Sequence, residues 1–268
     1  MDFEQFHYSP GNSLSDFKTL FDGGMDRDQL KDLRAESWEQ LADYQERLYA
    51  ESRQSLLIVL QAMDAAGKDS TIAKLTRGLN AQGCHVHSFK KPTARELAHD
   101  FLWRVHDKAP AAGSIALFNR SHYEDVLIVK VHGWASASKI RARYDHINNF
   151  EALLADRGTR VIKFMLNISQ DYQLERFKQR LENREKNWKF NPGDLDERAL
   201  WGEYMKAFEA AMSNCSTAQA PWYVVPAENR RYRDLMISTL ILNALQEMDP
   251  QHPAPDFDPL KYTVDSIR

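Results

Sequence analysis

The sequence has few cysteines and no long apolar run. Cys84 and Cys215 are the two cysteines among 268 residues, which excludes a disulfide framework, and their spacing fits no metal site. No stretch approaches the ~18 consecutive apolar residues of a membrane span. The first residues also lack the basic and apolar regions of a secretory signal. We therefore expect a cytoplasmic protein without membrane association.

An excess of charge of one sign is also missing. Lysine and arginine number 35 against 38 aspartates and glutamates, which gives a net charge of -3. This balance gives no reason to expect nucleic acid as a partner, and any polyanion must bind to a local basic patch. The hydrophobic content of 43% is that of an ordinary globular protein. The length suits one large α/β domain or a domain with an insert.

The order of patterns along the chain predicts an α/β fold. Residues 1–50 contain a polar, glycine-containing lead-in and then a helical pattern, which we interpret as an N-terminal helical segment that packs on the core and allows a homo-oligomer, either a dimer or a tetramer. Residues 51–268 alternate β-rich runs with helical stretches, which is typical of a three-layer parallel sheet core. The predicted strands are 56–60, 85–89, 114–118, 161–166 and 222–225. The functional residues of such a sheet lie at the carboxyl ends of its strands.

Residues 170–212 interrupt the alternation with two helical patterns. The first follows Ser169, and the turn Asn191-Pro192-Gly193 separates it from the second. The second is predicted to begin at Asp194, where Asp-Leu-Asp-Glu indicates a capping box closed by Glu197. Two helices that project from the strand ends form a lid over the site in this interpretation.

Residues 61–71 are the strongest functional signal. They follow a buried strand and precede a helix, as a phosphate-binding loop does. Gly67 and Lys68 match the pattern G-x-x-x-x-G-K-[ST], whereas Ala62 replaces its first glycine and Asp69 its final hydroxyl residue; Asp64 adds a carboxylate. We predict a phosphate cradle formed by Ala65, Ala66, Gly67, Lys68, Asp69 and Ser70. The alternative is a tight turn with a surface lysine.

A second motif follows the third predicted strand. Arg120 lies at the strand tip, where its planar guanidinium can grip a phosphoryl group. Asn119 takes the place of the usual metal-orienting acid, and Glu124 and Asp125 follow within the next helical turn. The alternative is a structural ion pair between Arg120 and Asp125. His122 is interpreted as a packing or hydrogen-bonding residue.

Basic residues recur in two further segments. Arg176, Arg180 and Arg184 are spaced by four, so they align along one side of the first lid helix, and Lys189 follows. Lys90 and Lys91 follow the second predicted strand, with Arg104 later in the same connection. Over a phosphate loop these cations are expected to bind a polyanion. The alternative is an ordinary solvated face.

Several of these motifs together resemble the type-2 polyphosphate kinase family over nearly the whole chain. The matching segments are AMDAAGKD at 62–69, FKKP at 89–92, DFLWR at 100–104, FNRSHYED at 118–125, EKNWK at 185–189 and APWYVVP at 220–226. The resemblance implies a P-loop kinase-like core with a helical lid. It also implies reversible, Mg²⁺-dependent transfer of a terminal phosphoryl group between inorganic polyphosphate and a nucleotide, with Mn²⁺ as a second candidate ion.

The resemblance also implies roles for particular residues. The family's loop carboxylate and lysine fall on Asp64 and Lys68, its second-motif arginine on Arg120, and its basic lid residues on Arg176, Arg180 and Lys189. Asn119-Arg120-Ser121, followed by Glu124 and Asp125, is similar to the subgroup that phosphorylates nucleoside mono- and diphosphates. The expected partners are therefore AMP, ADP and ATP, with GMP and GDP as further candidates.

Two points stay open at this level. The metal is expected to bind Asp64 together with either Asp125 or Glu124. The rival functions are an ATP-dependent small-molecule kinase of the same fold and a non-catalytic polyanion-binding module.

Overall fold

The computed structural model describes residues 1–258 and 260–262. Its centre is a sheet of five parallel strands, β1 (Ser55–Ala62), β2 (Cys84–Ser88), β3 (Ile115–Asn119), β4 (Thr159–Asn167) and β5 (Trp222–Pro226). Their order is β2-β3-β1-β4-β5. The five predicted strands are confirmed to within two residues at each end. β1 is central because its six residues from Ser55 to Leu60 are all buried.

Helices cover both faces of the sheet. The ten α-helices of the described residues are α1 (Arg27–Glu51), α2 (Lys68–Leu75), α3 (Ala94–Leu97), α4 (Trp103–His106), α5 (Ile128–Val131), α6 (Ala137–Asp156), α7 (Gln170–Glu182), α8 (Gly193–Ala199), α9 (Trp201–Cys215) and α10 (Arg230–Met248). Side chains alternate along β1, so Leu56 and Ile58 pack with α1 and α10, whereas Leu57 and Val59 pack with α6 and α9. The predicted three-layer α/β core is therefore confirmed.

The N-terminal lead-in was expected to be polar, and the structure corrects this. Phe3, Phe6 and Tyr8 are buried, and the backbone N–H of Tyr8 donates to the carbonyl of Trp222 on β5 at 2.8 Å. The segment contains short 3-10 turns at Glu4–Phe6 and Leu14–Asp16. Because its apolar residues lie in irregular turns, they show no period that sequence analysis detects.

The lid segment contains three helices rather than two. The predicted capping box at Asp194 is wrong: α8 begins at Gly193, and the Asn191 side-chain oxygen accepts from the Gly193 N–H at 3.2 Å. The expected partner Glu197 instead accepts from the Tyr204 hydroxyl at 2.6 Å. The helix breaks at Leu200 before α9 begins.

The sheet and these three helices bring the residues of interest to one edge of the molecule. The phosphate loop follows β1, the Arg120 motif follows β3, and α7 follows β4, as expected for a parallel sheet. Among the described residues, no helix is long and apolar enough to cross a membrane.

Candidate active site

The loop between β1 and α2 has the backbone that its sequence predicts. Gly67 has φ +105°, a conformation that favours glycine, and Ala65 also lies in the left-handed region at +67°. A Cβ atom on Gly67 would lie 2.3 Å from the Arg233 Nη1 atom. The loop therefore requires glycine here for two reasons, backbone conformation and space.

Lys68 begins α2 and lies under the loop. Its Nζ atom donates to the carbonyl oxygens of Ala62 at 2.9 Å and Met63 at 3.4 Å. Burial lowers the pKa of the Lys68 ammonium, and the carboxylate of Asp64 opposes this shift. The ammonium thus lies within the loop rather than on the surface, which argues against the alternative of a surface lysine.

Arg233 of α10, which was not predicted from the sequence, supports the loop from below. Its guanidinium is 1% exposed and donates to the Ala66 carbonyl at 3.2 Å and to the Ser70 hydroxyl at 3.3 Å. Asp234 accepts from the same guanidinium at 2.7 and 2.9 Å and also pairs with Lys74 of α2. The available signal was the basic run Arg-Arg-Tyr-Arg at 230–233, which starts the helix after β5.

Two departures from the usual loop pattern contact each other. The Asn119 amide donates to the Asp69 carboxylate at 2.7 Å. Asn119 stands where an acid is usual, and Asp69 stands where a hydroxyl is usual, so an amide-to-carboxylate hydrogen bond joins the two altered positions.

Arg120 follows β3 and pairs with carboxylates of two segments. Its Nη2 atom lies 3.0 Å from Asp64 Oδ1, and its Nη1 atom lies 3.8 Å from Glu124 Oε2. Burial opposes ionisation, but the carboxylates of Glu124 and Asp64 raise the pKa of Arg120. The alternative of an Arg120–Asp125 ion pair is wrong, since Asp125 pairs with Arg143 at 3.5 Å.

The structure brings Glu124, and not Asp125, next to Asp64 and Arg120. Residues His122–Asp125 form a 3-10 turn, in which neighbouring side chains point about 120° apart. Glu124 therefore faces Arg120, whereas Asp125 lines a separate cavity against α6. Burial raises the pKa of Glu124, and Arg120 partly offsets the shift.

A basic chamber of about 580 Å³ opens above the loop. It contains ten cations and two carboxylates: Lys68, Lys90, Lys91, Arg120, Arg176, Arg180, Lys186, Lys189, Arg230 and Arg233 with Asp64 and Asp69. Burial and the nearby charge of Arg230 lower the pKa of Arg176. This excess of positive charge gives the chamber a positive potential, which attracts anions.

Two predicted basic residues lie elsewhere. α7 ends at Glu182, so Arg184 lies beyond the helix, outside the chamber lining, while Arg176 and Arg180 line the chamber. Arg104 is also outside the lining. Its Nη1 atom donates to the Lys90 carbonyl at 2.9 Å, so it supports the segment that carries Lys90 and Lys91.

A second, smaller cavity meets the basic chamber at Asp64 and Arg120. This acidic chamber of about 240 Å³ is lined by four carboxylates, one arginine and mostly apolar or neutral groups: Ala62, Met63, Asp64, Arg120, Glu124, Leu127, Ile128, Asn191, Gly193, Asp194, Glu197, Tyr204 and Phe208. Glu197 is held by the Tyr204 hydroxyl at 2.6 Å and by His132 Nε2 at 3.0 Å. This wall is not predictable from the sequence, because residues 191–208 that form much of it are distant in the chain from the loop motifs.

The fold and the loop together define a phosphotransferase with a P-loop-type core. The family model described as Polyphosphate kinase 2 (PPK2) matches residues 24–253. The AMP/ADP-polyphosphate phosphotransferase of Meiothermus ruber is 49% identical over 216 residues, which are 81% of this chain and 81% of that protein. The chain belongs to the polyphosphate kinase 2 family.

Two further relatives agree with this membership. The ADP-polyphosphate phosphotransferase of Rhodopseudomonas palustris is 44% identical and is matched over 80% of this chain and 78% of its own length. The crystal structure of polyphosphate kinase 2 from Arthrobacter aurescens TC1 has a TM-score of 0.93 and 41% identity, and the match covers 96% of this chain and 93% of that one. The family favours a polyphosphate kinase over the two rival functions.

Proposed function

We propose that this protein transfers the terminal phosphoryl group of inorganic polyphosphate to AMP and ADP, and that the reaction is reversible. The observation that carries the proposal is the junction of a basic and an acidic chamber at Asp64 and Arg120. A phosphoryl group at this junction lies next to the loop, a guanidinium and two carboxylates. The names of the Meiothermus and Rhodopseudomonas relatives support the choice of acceptors.

The basic chamber suits the polyphosphate chain. Each internal phosphate of the chain carries negative charge, and ten cations face two carboxylates in this chamber. Lys68 and the loop N–H groups at the start of α2 hold the terminal phosphates, aided by the helix dipole. Arg176, Arg180 and Arg230 add to the positive lining of this chamber.

The acidic chamber suits the nucleoside of the acceptor. Its four carboxylates repel a phosphate chain, but they accept hydrogen bonds from ribose hydroxyls and from an exocyclic amine. Met63, Ile128 and Phe208 provide apolar surface for a base. The acceptor phosphate then points to Arg120, which lines both chambers.

The residues at the junction fit a magnesium ion. Asp64 lines both chambers, and Glu124, 19% exposed, lines the acidic chamber beside Arg120. Carboxylate oxygens together with phosphate oxygens are the usual ligands of Mg²⁺. We therefore assign Asp64 and Glu124 as its ligands; when bound, the ion neutralises charge on the transferring phosphates.

The remaining catalytic contribution is positioning and charge stabilisation by the chain itself. The acceptor phosphate is already an anion near neutral pH, so it needs no residue to remove a proton. Lys68 holds the donor phosphates, and Arg120 stabilises charge on the oxygens of the transferring group. α7 contacts the loop through Gln173, whose side chain donates to the Asp64 carbonyl at 3.0 Å, and helps to exclude water.

The test is incubation of the purified protein with polyphosphate, Mg²⁺ and either AMP or ADP, with ADP and ATP followed separately. GMP and GDP in parallel reactions test purine breadth. Lys68→Ala and Arg120→Ala are expected to lower turnover by at least about 10³-fold, the magnitude of a transition-state arginine. The control is Lys206→Ala, because Lys206 is exposed and pairs with Glu203 on α9.

Two results would contradict the proposal. One is the absence of product with either adenine nucleotide in the wild-type protein. The other is near-normal turnover in Lys68→Ala or Arg120→Ala while circular dichroism shows an intact fold.

A further inference from the structure

A lysine is buried in the centre of the sheet, below the active site. Lys163 lies in β4 with no exposed surface, among apolar residues that include Trp222. Its ammonium donates to Glu151 Oε2 at 2.6 Å, to the Cys215 carbonyl at 2.6 Å and to the Tyr123 hydroxyl at 2.8 Å. An ammonium has three donors, and all three are used.

The partners of Lys163 are joined to one another. The Tyr123 hydroxyl donates to Glu151 Oε1 at 2.9 Å, and His122 Nε2 lies 3.2 Å from the same oxygen. Burial lowers the pKa of His122, which favours the neutral ring; a neutral ring that hydrogen-bonds a carboxylate oxygen does so as a donor. Lys163, Glu151, Tyr123 and His122 form one buried cluster, which we call the Lys163 cluster.

This cluster supports the loop that presents Arg120 and Glu124. Arg120 has φ +60°, a strained conformation for a residue with a side chain. The next residue, Ser121, accepts from the Tyr123 N–H at 3.1 Å and from the Gln61 amide at 3.2 Å. Tyr123 therefore anchors the turn from below, while Arg120 before it and Glu124 after it face the junction of the chambers.

The same lysine holds the end of the last lid helix. Cys215 is the last residue of α9, and the carbonyls of a helix end have no partner within the helix. A cation there also interacts favourably with the helix dipole. α9 carries Tyr204 and Phe208, which line the acidic chamber. One ammonium thus connects the Arg120 loop with the wall that receives the nucleoside.

Stability alone does not account for this arrangement. Replacing a buried ion pair by apolar residues of similar size is often neutral or stabilising, because the desolvation of two charges is costly. A buried network with every donor used does fix a single geometry. The Lys163 cluster contacts the turn that follows Arg120 and the end of α9. The relative position of these two elements sets the geometry for transfer.

We propose that Lys163, Glu151 and Tyr123 are positioning residues for phosphoryl transfer, which hold Arg120 and Glu124 in register with α9 without touching either substrate. The inference rests on the proposed function, and it goes beyond it by assigning a role to residues outside both chambers. Misplacement of reacting groups by about 1 Å costs about 10²-fold in rate. Loss of the cluster should therefore lower kcat more than it weakens binding.

The decisive variant is Tyr123→Phe, which keeps the ring and removes the hydroxyl between Lys163 and Glu151. We expect kcat to fall by about 10- to 100-fold, with both KM values within about threefold of wild type. Tyr144→Phe is the matched control. Tyr144 is buried on the same side of the sheet, and its hydroxyl has no hydrogen-bond partner in the described part of the chain, so its removal should leave kcat unchanged.

A double-mutant cycle tests whether the residues act together. Lys163→Met should also lower kcat, and the double variant with Tyr123→Phe should lose clearly less than the product of the two single losses. Hydrogen exchange should speed up at residues 119–127 and at the end of α9 in each single variant. If Lys163→Met does not fold, Tyr123→Phe with its control still decides the question.

The outcomes separate this inference from the proposed function. Equal kcat in Tyr123→Phe and Tyr144→Phe, or a loss confined to KM, overturns the positioning role while an active wild type upholds the function. An inactive wild type overturns the proposed function, and in that case unchanged hydrogen exchange at 119–127 and at the end of α9 overturns the structural part of the inference as well.

Discussion

Gly67 is the residue at which the loop, α2 and α10 meet. Its φ of +105° turns the chain into α2, and the Arg233 guanidinium fills the space next to its Cα atom. Arg233 in turn is fixed by Asp234, which also pairs with Lys74 of α2. The shape of this loop therefore depends on α10, whose Arg233 lies 167 residues after its hydrogen-bond partner Ala66 in the chain.

Gly67→Ala is predicted to disrupt the cradle. The new methyl group requires both an unfavourable backbone conformation and displacement of Arg233, so we expect turnover to fall by about 10²-fold or more. Gly78→Ala is the control, because Gly78 has open space around its Cα atom. Equal activity of the two variants in the polyphosphate assay would contradict the interpretation that the loop requires glycine at position 67.

Glu124 and Asp125 are neighbours in sequence with different surroundings. If Glu124 is the metal ligand, Glu124→Gln should raise the Mg²⁺ concentration for half-maximal activity by about 10-fold or more, since loss of even an outer contact to a metal ligand costs about 10- to 100-fold. Asp125→Asn should change it little, because Asp125 faces Arg143. Magnesium titrations of both variants decide between the two carboxylates, and the opposite ranking would reassign the ligand.

At the scale of elements, the lid places cations on one side of α7. Asn187 folds the chain back by donating to the carbonyls of Arg180 at 2.7 Å and Leu181 at 3.0 Å at the end of the helix. This turn brings Lys186 and Lys189 to the chamber that Arg176 and Arg180 already line. Lys178 lies on the same helix and pairs with Glu175 outside the chamber.

Position on this helix, rather than charge alone, should determine the effect of a substitution. Arg176→Ala is expected to raise the KM for polyphosphate by about 10-fold, equivalent to about 1.4 kcal/mol. Lys178→Ala removes the same charge from the neighbouring side and should change KM by less than about twofold. Similar KM values for the two variants would show that the lid acts only through its net charge.

The elements differ in how much their sequence reveals. The strands were predictable because buried parallel strands read as short apolar runs. The capping of α8 was not, since the side chain of Asn191, and not that of Asp194, accepts from the N–H group at the start of the helix. Lys68, Arg120 and Asp64 were predictable because they lie in motifs that directly follow the carboxyl ends of predicted strands. Arg233, Glu197 and Lys163 were not, because their roles arise from contacts between segments far apart in the chain.

The molecule as a whole carries more negative than positive charge, yet many of its positive charges are concentrated in one chamber. The net charge is -3, whereas the basic chamber contains ten cations and two carboxylates. Acidic residues elsewhere on the molecule keep the total low. A polyanion is therefore attracted to one opening and not to the surface in general.

The stability of the whole protein should depend on the buried histidine of the Lys163 cluster. Burial and the charge of Lys163 lower the pKa of His122 below 6.5, against the opposing effect of Glu151 and Asp125. On acidification the folded protein therefore takes up a proton less readily than the unfolded chain. This contribution to stability is present above pH ~6.5 and is lost as the pH falls. Between pH 6.5 and 5.5 we expect the wild type to lose more stability than His122→Asn.

The measurement is the urea midpoint and slope of both proteins across this pH range. The same pH dependence in the two proteins would contradict this prediction, because it would show that His122 takes up protons as readily in the folded state as in the unfolded state.

The unequal chambers have a consequence for the polymer. Four carboxylates and a volume of about 240 Å³ keep a phosphate chain out of the acidic chamber, so the chain can present only its end at the junction. After each transfer the next unit must advance to the same position. In a homopolymer every such advance replaces each phosphate by an identical one, so the registers have the same energy as long as the chain covers all the cations of the basic chamber. In the proposed reaction, polyphosphate is therefore shortened from its tip by single units, and its length affects binding only when the chain has become shorter than the row of cations.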